Sequence, residues 1–135
     1  MTFTNQFAKK LLDHCFGATT YTPPATVVLC LLKSLPADGA TVADLVKADY
    51  TGYADVTLSN NGTTWLAGVL ADRTKSLNIR VEFPEATAGD CTVVAAAIVD
   101  PTNNIIMAKG ALQTNREYVA LDLPRLEPSD IIISL

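Results

Sequence analysis

YTPPATVVLCLL, residues Tyr21 to Leu32, decides the fold. Pro23 and Pro24 fix φ and offer no backbone donor, which suits the rim of a sheet. From Thr26 the run Val27, Val28, Leu29, Cys30, Leu31, Leu32 shows no polar alternation. Such a run fits a strand buried on both faces, and its length alone also allows a short core helix. The helix reading loses because Pro24 precedes the run, two β-branched valines open it and Pro36 closes it. The stretch is therefore read as the central strand.

On its N-terminal side the spacing predicts a helix over Asn5 to Phe16. Thr4 or Asn5 can cap it, and Gly17 supplies the stop. Phe7, Leu11, Leu12 and Cys15 recur at helical intervals, while Lys9, Lys10 and Asp13 fall elsewhere. So short a helix must dock on the β domain or on a neighbouring copy. His14 is the only histidine. Its neighbour Cys15 lies about 100° further round the helix, so the two cannot converge on one site.

On the C-terminal side, Leu35 to Gly39 reads as a loop, and Thr41 caps a helical turn from Val42 to Val46 with Asp44 near its start. Tyr50, Tyr53, Val56 and Leu58 mark a strand in which Gly52 signals a bulge or a close backbone approach. Asn60-Asn61-Gly62 predicts a hairpin turn leading into a second strand, Thr63 to Leu70, around Trp65. Leu77, Ile79, Val81 and Phe83 alternate with Asn78, Arg80 and Glu82, the pattern of a half-buried strand. Cys91 to Val99 is almost uniformly apolar, and Asp100 to Asn104 turns the chain into a partner strand, Ile105 to Leu112, with Gly110 as a bulge. Strands over Tyr118–Leu123 and Asp130–Leu135 complete the reading. The expected fold class is all-β: an antiparallel β-sandwich of jelly-roll type with a short N-terminal helix. Residues 1–135 form one domain, with a docking helix over 1–17 and the sandwich over 18–135.

Bulk properties narrow the function. The apolar fraction of 49% builds a core, and 18% charged residues is low, as in a chain that hides surface in partners. A net charge of −4, with only Lys9-Lys10 and Arg73/Lys75 as local basic groups, argues against nucleic acid as a partner. No apolar window reaches membrane-spanning length. The N-terminal stretch lacks the apolar region of a secretory signal, so synthesis and retention in a cytoplasm are expected.

No phosphate loop, dinucleotide fingerprint, nucleophile elbow or zinc-helix motif occurs, and no cofactor is expected. The carboxylate pairs Asp44/Asp49 and Glu82/Glu85 read as solvated surface charge, and Asp100 with Asn103 and Asn104 as a turn rather than a calcium loop. An enzyme is not expected. Three cysteines, Cys15, Cys30 and Cys91, cannot form a closed disulfide framework. They read either as buried thiols or, for Cys15 and Cys30, as an intersubunit disulfide. Trp65, Tyr50 and Tyr53 read either as packing residues or as an aromatic platform for a ligand.

The order of motifs resembles small tailed-phage virion proteins catalogued as phage tail fibre proteins. The resemblance runs through LLDHCFG (Leu11–Gly17), YTPPATVVLCLL (Tyr21–Leu32), IRVEFPEATAGDCTVVAAAIVDP (Ile79–Pro101) and AKGAL (Ala108–Leu112), and so spans most of the chain. It implies a non-enzymatic, multi-copy surface component of a bacteriophage capsid (decoration or cement), neck or tail, made in the host bacterial cytoplasm and located in the virion. Its partners would be other virion proteins and further copies of itself, with Phe7, Leu11, Leu12 and Phe16 docking. The alternative is a carbohydrate- or receptor-binding adhesin that uses the aromatic platform.

Overall fold

The computed structural model describes residues 1–135. In chain order the elements are β1 (Thr2–Phe3), α1 (Asn5–Phe16), β2 (Thr26–Leu32), a 3-10 turn (Val42–Asp44), β3 (Val56–Ser59), β4 (Thr74–Ser76), β5 (Val81–Glu82), β6 (Cys91–Asp100), β7 (Ile105–Tyr118), β8 (Arg125–Leu126) and β9 (Ile132–Ser134). One five-stranded sheet has the order β1-β7-β6-β2-β3, and two-stranded ribbons pair β4 with β9 and β5 with β8. All pairings are antiparallel. The fold is thus mostly β with antiparallel sheets and one short N-terminal helix, as expected.

β6 holds the middle of the large sheet, and β2 lies beside it, between β6 and β3. Both strands carry apolar residues on both faces because both faces are covered. Val27, Leu29 and Leu31 point into the larger core with Ile98, Phe83 and Leu77. Cys30 and Leu32 point the other way, with Ala97, Val99 and Ile106, beneath the loop that carries Ala40. Val93 and Ala96 both join the larger core, so the alternation skips a residue where the β6–β7 register shifts.

Several strand expectations are corrected. Asn61 does not make a hairpin turn: its side-chain oxygen accepts from the Thr63 and Thr64 backbone N–H groups, winding the chain locally. Thr63 to Leu70 consequently forms no strand, and Trp65 and Val69 make only isolated bridges to Leu77 and Thr74. The alternation from Leu77 to Phe83 holds in burial, but ladder pairing covers only Val81 and Glu82. β7 runs on to Tyr118, and Val119 to Leu123 is a turn in which Leu121 adopts φ 74°. The final strand is shorter than expected, covering only Ile132–Ser134. Gly110 is no bulge: it pairs with Ala96, and a Cβ there would lie 2.9 Å from Met1 Cγ, so the missing side chain makes room for Met1 just ahead of β1. Gly52 serves a close approach instead of a bulge, with φ 99° and the Glu85 carbonyl 2.7 Å from where a Cβ would stand.

Candidate functional site

Thr4 anchors the start of the helix. Thr4 is fully buried; its hydroxyl donates to the Ile106 carbonyl on β7 and accepts from Phe7 N–H as the N-cap. Its own N–H donates to the Met107 carbonyl at 3.2 Å. Phe7 follows into a small cluster with Tyr21 and Ile105, meeting Tyr21 edge-on at 5.6 Å between ring centroids. Burying one such ring stabilises the docked helix by about 1.5–3 kcal/mol.

The four residues expected to dock divide by helix face. Phe7 is buried and Leu11 half-buried against the chain's own β7. Leu12 and Phe16, one turn apart, face out, with Phe16 87% exposed. Only the second pair is available to another molecule. His14 is exposed, and its Nδ1 accepts from Tyr21 N–H at 3.1 Å, fixing the chain just beyond the helix.

The expected aromatic platform is largely internal. Trp65 is 5% exposed and Tyr50 2% exposed, both in the larger core. Tyr50 donates to the Pro84 carbonyl at 2.8 Å, and burial pushes its pKa up to about 12. Tyr53 stacks near Phe83 and donates to Asp55 at 2.8 Å. Burial first, then that hydrogen bond, raises its pKa. Tyr50 and Tyr53 hold the irregular 48–55 segment on the sheet, while Trp65 packs in the core apart from that segment.

The cysteines are equally divided. Cys15 is exposed, whereas Cys30 and Cys91 are buried. Burial pushes the Cys30 thiol up to about 12, with nearby Asp55 adding to the rise. Cys30 has no accessible surface, so of the two cysteines expected as candidates for an intersubunit disulfide only Cys15 lies on the surface. Lys47 pairs with Asp55, and Lys33 with Asp49 at 2.6 Å, at the edge of the same region. No group of three or more His, Cys, Asp or Glu side chains is arranged to hold a metal ion.

Sequence reasoning did not anticipate a hollow of about 560 Å³ between the large sheet and the β4–β9 ribbon. Its floor includes Val27, Ile98 and Ala108, and its walls include Phe3, Trp65 and Ile133. Leu70, 94% exposed, stands at its mouth beside Arg73 and Lys75. The only sequence signal for it was the exposed apolar pair Val69-Leu70 next to two cations. Residues spread from Phe3 to Ile133 meet there only through the strand order.

These features define a small antiparallel β-domain with an outward apolar helix ridge and an open apolar hollow. The family profile of Podophage GP4 fiber I protein gp80 matches residues 2–134, and the chain belongs to that family. No curated protein matches the sequence. Membership in a phage fibre family points to a structural component of the bacteriophage virion and to association with other virion proteins. No helix is long and apolar enough to cross a membrane.

Proposed function

We propose that the chain is a non-enzymatic, multi-copy assembly protein on the surface of a tailed-phage particle, joined to capsid, neck or tail proteins and to its own copies through apolar contacts. The single observation that carries this reading is the family match over residues 2–134. The outward Leu12–Phe16 ridge and the hollow beside Leu70 supply surface of the right kind, since interface cores are apolar and aromatic. On this reading residues 1–135 act as one domain, with 1–17 as its docking helix and the five-stranded sheet as one layer of a jelly-roll-like sandwich. The chain is made in the host cytoplasm and gathered into particles there. The adhesin alternative draws no support from Tyr50, 2% exposed, and little from Trp65, which shows only 5% of its surface at the wall of the hollow.

Quantitative mass spectrometry of gradient-purified particles tests this directly. Peptides of the chain at several copies per portal are expected; particles free of it contradict the proposal.

A further inference from the structure

We infer that the hollow is a socket for the α1 tip of a second copy, so that the chains join head to tail. The inference rests on the assembly reading above and names the partner and the contact.

The knob is the C-terminal end of α1. Phe16 is 87% exposed and Leu12 60% exposed, one turn apart on the face turned away from β7. The socket is the apolar hollow of about 560 Å³ with Trp65 in its wall and Leu70 at its mouth, a volume in the range of pockets that enclose a whole ligand. It has room for an aromatic ring and a leucine.

Charge favours the same contact. The last turn of α1 contains no Lys or Arg, only His14, and Lys9, one turn back on the knob face, is neutralised by its ion pair with Asp13 at 2.5 Å, so the partial negative charge of the terminal carbonyls is uncompensated by a free cation there. At the mouth of the socket, Arg73 and Lys75 form no ion pair within the chain. Lys75 donates to the Leu66 carbonyl at 3.0 Å, which leaves its charge without a carboxylate. A helix C-terminus entering between these two cations satisfies both sides.

Phe7 in the same helix contributes to the socket, while the knob lies at residues 12 and 16. One copy cannot fill its own socket with its own tip, because both are held by one rigid helix. Knob and socket are different surfaces, so the contact is heterologous and propagates into rings or filaments instead of stopping at a two-fold dimer.

The test uses the full chain and two exposed-site variants. Phe16→Lys removes the knob while placing a cation where the helix dipole favours one. Leu70→Asp combined with Arg73→Asp alters the socket mouth; Arg73 has φ 54°, which Asp tolerates. Light scattering after size exclusion over a concentration series should show the unchanged chain growing beyond dimers. Each variant alone should associate at least about tenfold more weakly. Mixed in equal amounts, the two variants should form dimers that grow no further, because one intact knob meets one intact socket. Variants that associate like the unchanged chain, or a mixture that stays monomeric while the unchanged chain self-associates, overturn the inference. An unchanged chain that stays monomeric throughout also overturns it. Retention of such a monomer on particles would leave the assembly reading standing.

Discussion

The Tyr21 hydroxyl donates to Asp100 Oδ2 at 2.8 Å, linking the segment before β2 to the turn between β6 and β7 across 79 positions of sequence. Asp100 is fully buried and also accepts from Thr102 N–H, Asn103 N–H and the Asn103 side-chain amide. Burial alone would raise its pKa, but these four donors, led by the Asn103 amide, hold it below the usual carboxylate value. A depressed folded pKa means that the unfolded chain binds the proton first as pH falls. Stability from this site is therefore present above about pH 4 and is lost as pH drops through the folded value. Tyr21→Phe should cost about 1–2 kcal/mol at neutral pH and flatten the acid limb of the profile, measured by urea unfolding from pH 7 to pH 2.5.

Gly52→Ala should destabilise through backbone strain and contact together. The residue sits at φ 99°, and a Cβ would stand 2.7 Å from the Glu85 carbonyl. A loss of about 1–3 kcal/mol is expected, seen as a lower urea midpoint with an unchanged slope. Gly62→Ala is the control, since nothing lies within 4 Å of its Cβ position and it lacks positive φ.

Thiol labelling should separate the cysteines sharply. In the native protein only Cys15 should react within minutes at pH 7.5, because Cys30 and Cys91 are buried and burial raises both of their pKa values. All three should react in denaturant. Intact-mass analysis of labelled protein gives the count directly.

Trp65→Ala should cost about 3–5 kcal/mol, as expected for removal of a large buried ring. Native Trp65 emission should be blue-shifted and poorly quenched by iodide, measured by steady-state fluorescence. An adhesin platform would instead leave stability nearly unchanged and abolish sugar binding.

The parts of the fold legible in the sequence are those fixed by local chemistry. Thr4 and Gly17 bound α1 because capping needs only a few neighbouring atoms. The unbroken apolar runs of β2 and β6 revealed strands covered on both faces. Thr41 and Asp44 likewise announced their capped turn. The segment after Asn61 failed because an Asn-Gly pair serves two turns, and the choice was made by the Asn61 side chain winding the following residues. The site was less legible. Periodicity placed Phe7, Leu11, Leu12 and Phe16 on one helix, but not which of them the chain's own Tyr21 and Ile105 would cover. The hollow was invisible because Phe3, Ile98 and Ile133 become neighbours only through strand order.

The most direct measurement is a cryo-electron microscopy reconstruction of intact particles that resolves side chains at the surface. Repeated density for this chain, with Leu12 and Phe16 covered by protein, is the expected result. Particles that display no density for the chain, or display it with that helix face open to solvent in every copy, contradict assembly through this surface.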